Sequence, residues 1–415
     1  MGLTLWIFQT GEPVHTDGPG TRPMRAMNLA DSAIAAGHQV VLWTSDFYHQ
    51  EKKHRFGASV RKNVSDSLSI QFVKSSGYKR NISIGRFWDH ISLAIQIKKL
   101  LKGVQPPDVA VIGYPPIEPA WVMTRWMNKA GVPVVCDVKD QWPDYFLTAI
   151  PGKLRPIGRI ILSPLFYLGK STLRNATGIS SISSQFLDWS VKRAGRNQTE
   201  FDLMAPLVAR NVAVDPLEIS KAKDFWDKQG LDDNYQFKAC FIGSLSPAFN
   251  FNFLEQVDKS DKWQFLICGT GSEYESLRGK FHNGKNVIFP GWVDLAQASY
   301  LTSVADIALA PYRSEKSFEM SVPNKIYDYL RAGLPIVSSL RGETENLLST
   351  YSLGFTYQTN DEILALLESV ENSNGGFLTR CKEQGQRLSE TNFSFANVYG
   401  GYVSHLENLS KLSRH

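Results

Sequence analysis

The chain is 415 residues long, with 45 Lys and Arg against 40 Asp and Glu for a net charge of +5, and it is 43% apolar and 12% aromatic. At about 150 residues per domain, this length points to two large domains. The apolar content, with ordinary amounts of Gly (31) and Pro (20), excludes a mainly disordered, collagen-like or low-complexity protein.

Short apolar runs predict strands at Leu3–Phe8, Val40–Thr44, Ser69–Val73, Val109–Gly113, Val132–Asp137 and Gly178–Ser183. Helices are expected between them over Arg22–Ala36, Phe87–Leu101, Glu118–Asn128 and Ser184–Ala194, the first ended by Gly37. Met204–Pro216 reads as a connector. A second series follows at Phe237–Gly243, Gln264–Cys268, Val287–Phe289, Ile307–Ala310, Ile336–Ser339 and Phe355–Tyr357, with a helix over Pro323–Arg331 and only helical patterns after Asn360. Alternation of this kind builds parallel βαβ layers. The expected fold class is α/β, two tandem Rossmann-like domains facing across a cleft, divided as 1–205 and 206–392, with a helix over 393–415 packing back on the first domain. Ligands of such sheets bind beyond the carboxyl ends of the strands, so the loops after strands are where site residues are sought.

Charge is uneven. From Glu51 to Lys102 twelve Lys or Arg stand against Glu51, Asp66 and Asp89, and residues 153–196 repeat the bias. Such fields attract phosphates, anionic headgroups or nucleic acid, and are equally compatible with a solvated face. No recognised nucleic-acid module accompanies them, so no nucleic-acid partner is expected. Arg155–Lys170 mixes basic residues with Ile160, Ile161, Leu165, Phe166 and Leu168, a composition that, if helical, suits a membrane surface as well as packing. No apolar run reaches ~18 residues, and Met1–Phe8 lacks the basic flank of a signal peptide. Cys136, Cys240, Cys268 and Cys381 form no C-x-x-C pair, which argues against zinc or disulfides. A cytoplasmic chain, peripheral on the inner face of the membrane, is expected.

Several loops carry chemistry. Asp17-Gly-Pro-Gly-Thr-Arg22 follows the first strand, and its Gly18 and Gly20 permit close approach of backbone to an anion; as a plain turn, Thr21 would cap the helix. Gly269-Thr-Gly271 follows a second-domain strand, with Ser272 and Glu275 spaced as a capping box; a structural role is expected, any ligand contact coming from backbone. The segment from Pro311 to Val337 runs from strand through polar loop to helix. Its Ser321 and Val322 amides and Lys325 suit a diphosphate, Asp328 lies one turn further on, and Glu319 is placed to accept hydrogen bonds from sugar hydroxyls. The histidines show no pairing at catalytic spacing, and a structural role is expected for each.

These pieces in order resemble the family-four glycosyltransferases of GT-B architecture, nearest to the subgroup that builds bacterial surface polysaccharides such as O-antigen, capsule and exopolysaccharide. The resemblance rests on Gly18-Pro-Gly-Thr-Arg22, Gly37-His-x-Val40, Asp137-Val-Lys-Asp-Gln-Trp-Pro143, Phe241-Ile-Gly-Ser244, Gly269-Thr-Gly271, Asn286-Val-Ile-Phe-x-Gly-Trp-Val293, Ala305-Asp306, and Ser321-Val-Pro-Asn-Lys325 through Asp328 to Ala332-Gly-x-Pro335. It implies retaining transfer of a sugar, of hexosyl or N-acetylhexosaminyl type, from a nucleotide-diphosphate donor to a glycan or polyprenyl-linked acceptor in lipopolysaccharide-like synthesis. No metal and no cofactor beyond the donor is implied, and the chain contains no Asp-x-Asp. Lys139 and Asp140 would orient the donor sugar or the incoming hydroxyl. Gly243, Ser244, Gly269, Ser321, Val322, Pro323, Asn324, Lys325 and Arg313 would surround the diphosphate. Trp292 and Val293 would meet the base, and Asp328 the ribose.

Departures accompany the likeness. Many members carry Arg after the glycine of Phe-x-Gly and Lys five residues later, where this chain has Ser244 and Phe249. The first glutamate of the family's acidic pair falls on Met320, with Glu319 one place early. Two other readings stay open: a nucleotide-sugar epimerase on the same layers, and a non-catalytic nucleotide-sugar-binding protein.

Overall fold

The structure, a computed structural model, describes residues 2–18, 21–81, 83–148, 150–257, 260–281, 286–373 and 375–412. Its backbone divides into two compact units, Met1–Leu207 with Phe395–His415, and Val208–Ser394.

In the first unit the strands are β1 (Thr4–Phe8), β2 (Gln39–Ser45), β3 (Phe47–Tyr48), β4 (Lys53–His54), β5 (Val60–Asn63), β6 (Leu68–Val73), β7 (Val109–Tyr114), β8 (Val134–Val138), β9 (Gly178–Ser181) and β10 (Leu203–Met204). Among the described residues, eight of them form one sheet in the order β10-β9-β8-β7-β1-β2-β6-β5, parallel except for β5, which runs antiparallel to β6. The central strand β7, Val-Ala-Val-Ile-Gly-Tyr, is buried throughout, as a parallel strand covered on both faces must be. Edge strand β5 (Val-Arg-Lys-Asn) is polar and largely exposed, which blunts the edge against further pairing and explains why its sequence carried no strand signal. The helices are α1 (Arg25–Ala35), α2 (Ile84–Leu100), α3 (Ile117–Lys129), α4 (Asp144–Thr148), α5 (Arg155–Ile161), α6 (Ser163–Asn175) and α7 (Ser184–Ala194). Helix α7 has a Ser183 side-chain cap at its start and Gly195 in the left-handed region at its end. The Arg155–Lys170 pattern splits at Leu162 into α5 and α6.

The second unit holds α8 (Pro216–Gln229), β11 (Phe237–Ile242), α9 (Leu254–Val257), β12 (Trp263–Cys268), α10 (Tyr274–Lys280), β13 (Val287–Gly291), α11 (Leu295–Val304), β14 (Ile307–Ala310), α12 (Lys316–Glu319), α13 (Asn324–Arg331), β15 (Ile336–Ser338), α14 (Glu343–Tyr351), β16 (Gly354–Thr356), α15 (Asn360–Asn372) and α16 (Gly376–Thr391). Its parallel sheet runs β13-β12-β11-β14-β15-β16. That is the doubly wound order whose direction reverses between the first and fourth strands, here β11 and β14, and ligands settle at such a reversal. A core of Phe241, Phe251, Phe253, Trp263, Phe265 and Ile267 fills one face.

A π-helical turn, Ala396–Gly400, leads into α17 (Gly401–Ser410), both part of the first unit. Tyr399 and Tyr402 are fully buried, each contributing about 1.5–3 kcal/mol by area alone. Asn28 Nδ2 donates to Tyr399 Oη at 3.4 Å, and His38 meets Glu407 at 3.0 Å, so His38 is structural as expected. Among the described residues no helix is long and apolar enough to cross a membrane.

Candidate functional site

In the second unit the segments that leave β11, β12 and β14 converge. Gly269 adopts φ +131°, and a Cβ there would strike the Gly243 carbonyl oxygen, so only glycine lets the two loops touch. Backbone bonds then zip them together: Gly243 N donates to Cys268 O at 3.0 Å and Leu245 N to Thr270 O at 2.9 Å. Against this backbone ledge lies Lys325, in the first turn of α13. A Cβ on Gly243 would stand 2.8 Å from its Nζ.

The surroundings of that ammonium are aromatic. Lys325 Nζ sits 3.7 Å from the Phe241 ring centroid, 4.1 Å from that of Phe249 and 5.3 Å from that of Tyr312. Nζ is sealed from solvent and has no hydrogen-bond partner among the described residues. Burial pushes its pKa well below the ordinary lysine value, with Asp328 opposing. Phe249, where the resemblance led to an expected lysine, presents its ring to the Lys325 ammonium instead. Such an ammonium, beside glycine backbone and a helix N-terminus, is an arrangement that suits an anion.

The other expected donor residues of the second unit have differing surroundings. Ser321, Val322, Pro323 and Asn324 form the approach to α13, whose first amides have no partner within the helix. Ser244 is exposed at the ledge. Arg313 is exposed too, and its Nε donates to Phe249 O at 3.3 Å, pinning the aromatic loop. Asp328 lies 3.3 Å from Arg331. Glu319, on α12, accepts from Ser314 Oγ at 2.8 Å. Trp292 is 69% exposed beyond β13, while Val293 is buried. The capping box expected at Ser272 and Glu275 does not form: Glu273 is the α10 cap residue and makes no side-chain bond, because Ser272 is drawn into the tight turn after Gly271. A box forms instead at Asp294 and Gln297 on α11.

In the first unit, a cavity of about 230 Å³ opens where the sheet order reverses, between the loops after β1 (Gln9–Gly11) and β7 (Tyr114–Pro116). Lys139 and Asp140 line it from the loop after β8. Asp140 is held rigidly: Oδ1 accepts from Gln141 N at 2.8 Å and Oδ2 from Trp142 Nε1 at 3.0 Å. Burial raises its pKa. Trp142 is itself fixed, its carbonyl accepting from Tyr114 Oη at 2.7 Å and its ring packed on Phe146 and His90. Lys139 is bonded to Glu12 and lies 3.6 Å from Asp137, which also meets Arg25 at 3.5 Å. Its ammonium is therefore tied into a buried ion network.

The loop carrying Gly18 (φ +113°) is anchored by Asp17, paired to Arg55 at 2.6 and 2.7 Å; Gly20 lies outside the described residues. Thr21 does not cap α1, since its hydroxyl donates to Gly18 O. Glu12 takes that role, accepting from Ala26 N at 2.9 Å.

The sequence reading did not anticipate the rest of this cavity. His49, Tyr78, Arg86 and His90 line it. Burial, Arg86 and His49 lower His90 to about 3, and burial with Lys52 and Arg86 lowers His49 to about 4. Behind His90, burial raises Glu118 to about 7, its Oε2 being 3.8 Å from His90 Nδ1. The only sequence signal for this cluster was the basic bias of residues 51–102. Among the described residues, no group of three or more His, Cys, Asp or Glu is arranged to hold a metal ion.

Residues 236–372 match the family model described as glycosyl transferases group 1. Among curated proteins, TuaH of Bacillus subtilis (strain 168), assigned by inference as a teichuronic acid biosynthesis glycosyltransferase, is 26% identical over 141 residues, 32% of this chain and 35% of that one. The chain thus matches about a third of that relative's length. Solved structures match over nearly the whole chain. Sucrose-phosphate synthase of Thermosynechococcus elongatus has a TM-score of 0.70 at 13% identity, covering 98% of each chain. HepE of Anabaena, solved with UDP-glucose, has 0.64 at 13% identity, covering 98% of this chain and 100% of that one. WaaG, a glycosyltransferase involved in lipopolysaccharide biosynthesis, has 0.62 at 12% identity over 97% and 99%. The chain therefore has the GT-B fold of two Rossmann-like domains, with a group 1 glycosyltransferase match confined to its second unit.

Proposed function

We propose that the chain is a nucleotide-sugar-dependent glycosyltransferase whose second unit holds the donor diphosphate and whose first unit holds the acceptor. The observation that carries this reading is Lys325: its Nζ is buried, has no hydrogen-bond partner among the described residues, and lies at the β11/β14 reversal against the Gly243 ledge. Departure of the nucleotide builds charge on the diphosphate. A desolvated ammonium and helix amides stabilise that charge more strongly in a low-dielectric site than water would. The group 1 match over residues 236–372 supports the same assignment, and HepE, similar in fold, was solved with UDP-glucose.

In the first unit, Asp140 presents a fixed carboxylate to the cavity, suited to accept a hydrogen bond from the incoming hydroxyl. Transfer with retention of configuration, without metal or further cofactor, and a lipid-linked glycan acceptor in surface-polysaccharide synthesis complete the proposal. The exposed apolar side chains of the first unit support the lipid. Ile84 and Trp88 on α2 are 88% and 60% exposed, and Ile160 and Ile161 on α5 are 73% and 71% exposed. Exposed Lys79, Arg80, Lys153, Arg155 and Arg159 lie beside them in the chain, a pairing that suits an anionic membrane surface.

The test is release of nucleoside diphosphate from a panel of sugar donors, with membrane extract as acceptor source. Acceptor-dependent release is expected, with retained anomeric configuration in the product by NMR. Isomerised donor without acceptor would favour an epimerase, and donor binding without any turnover a sensor.

A further inference from the structure

Two buried ionisable groups meet at the wall of the first-unit cavity. His90 lines the cavity from α2, and Glu118 stands behind it in the first turn of α3. The two residues are 6% and 9% exposed, and Glu118 Oε2 lies 3.8 Å from His90 Nδ1. Nδ1 is sealed, with no hydrogen-bond partner among the described residues, whereas Nε2 is not sealed. The ring therefore turns its Nδ1 edge to Glu118 and its Nε2 edge to the cavity.

Around this pair stand Arg86 and Asp89 on α2, His49 after β3, Tyr114 at the end of β7, and Lys139 and Asp140 after β8. Burial, Arg86 and His49 hold His90 neutral down to about 3. Glu118 pairs with no Lys or Arg among the described residues, and burial, opposed only by its own backbone amide, raises it to about 7. A neutral imidazole carries one proton, and the partner of one ring nitrogen decides which nitrogen holds it. A protonated Glu118 can donate to Nδ1, which leaves the proton on Nε2. An ionised Glu118 draws the proton to Nδ1 and turns Nε2 into an acceptor. The gap between the two groups is of the kind that tightens when a ligand binds.

Trp142 supports both polar groups on the cavity side. Its ring packs on His90 at 5.5 Å between centroids, and its Nε1 donates to Asp140 Oδ2 at 3.0 Å. An acceptor and a donor held by one indole suit the hydroxyl groups of a single sugar. We propose that Glu118 is a positioning residue that keeps the proton of His90 on Nε2, so that the ring donates a hydrogen bond to a hydroxyl oxygen of the acceptor sugar while Asp140 accepts from the incoming hydroxyl. This rests on the acceptor reading of the first unit given above and adds the group that orients the sugar.

The experiment is long-range proton–nitrogen correlation NMR of the full chain carrying isotope-labelled histidine, for wild type and Glu118→Gln, with His90→Gln supplying the assignment. Wild type is expected to hold the proton on Nε2 below about pH 6 and on Nδ1 above about pH 8. Glu118→Gln, whose amide cannot ionise, is expected to keep one tautomer throughout. In turnover, the acceptor KM should rise about fivefold between those pH values in wild type, as loss of one hydrogen bond does, and not in Glu118→Gln. An imidazolium at about pH 6, a single tautomer across the range in wild type, or the same switch in Glu118→Gln would overturn the positioning. The wild-type titration alone decides this if the variant does not fold. A KM that follows the same pH course in both proteins would overturn the binding role. If no acceptor supported nucleoside diphosphate release while the tautomer followed Glu118, the positioning would stand and only the transferase reading would fall.

Discussion

Replacing Lys325 by Met should make the protein more stable and less able to bind its donor, two effects that a merely structural lysine would not combine. The ammonium is enclosed by Phe241, Phe249 and Tyr312 and has no hydrogen-bond acceptor among the described residues. Desolvating an ion costs several kcal/mol, whereas contacts with aromatic faces return about 2 kcal/mol when desolvated. Burial is the largest influence on this lysine and pulls its pKa down against Asp328, so desolvation is expected to win. A thioether of similar length keeps the ring contacts without the charge, so Lys325→Met should gain about 1–3 kcal/mol. For a domain of this size that is about 2–4 °C in Tm per kcal/mol. The same change removes a charge-assisted bond to the diphosphate, about 1.5–3 kcal/mol, so UDP should bind about tenfold to a hundredfold more weakly. Differential scanning fluorimetry with and without UDP reads both. A lower Tm in the ligand-free variant, or an unchanged UDP shift, would refute the reasoning.

Three further outcomes follow from particular contacts. Glu118→Gln should change stability in a pH-dependent way. Because burial raises the folded-state value from 4.5 to about 7, the folded form holds the proton more tightly; that contribution is complete below about pH 4.5 and lost as pH rises through 7. At 1.36 kcal/mol per unit, the variant should exceed wild type by at most about 3 kcal/mol at pH 8 and match it at pH 4.5. Urea denaturation of both proteins at each pH measures this. Asp140→Asn should lower kcat about a hundredfold or more while leaving UDP affinity unchanged by calorimetry, since the carboxylate lies in the other unit. Gly269→Ala should cost about 2–4 kcal/mol in thermal unfolding, because the new Cβ meets the Gly243 carbonyl and φ +131° disfavours any side chain.

The sequence made the strands legible wherever a continuous apolar run had to be buried on both faces, as in β7 and β12, and it made helix ends legible where a local residue decides them, as with Ser183 and Gly195 of α7. Lys325 and Asp140 were legible as candidates because each sits in a contiguous motif. Their surroundings were not. The aromatic enclosure takes Phe241 from β11, Phe249 from a loop and Tyr312 from beyond β14, and only the sheet order brings these together. His49, Tyr78, Arg86 and His90 likewise share no motif; they meet because the segments after β3 and β6 and the first turns of α2 come together at one pole of the sheet. The caps at Thr21 and Ser272 misled for a different reason. Spacing proposes a cap, but a tight glycine turn or a distant carboxylate such as Glu12 can claim the helix end first.

A crystal structure of the chain with UDP tests the central claim most directly. The account predicts Lys325 Nζ turned from its aromatic enclosure to within about 3 Å of a phosphate oxygen, with the diphosphate against the Gly243 backbone and the first turn of α13. UDP bound elsewhere, or Lys325 still buried among the rings with no phosphate contact, would contradict it.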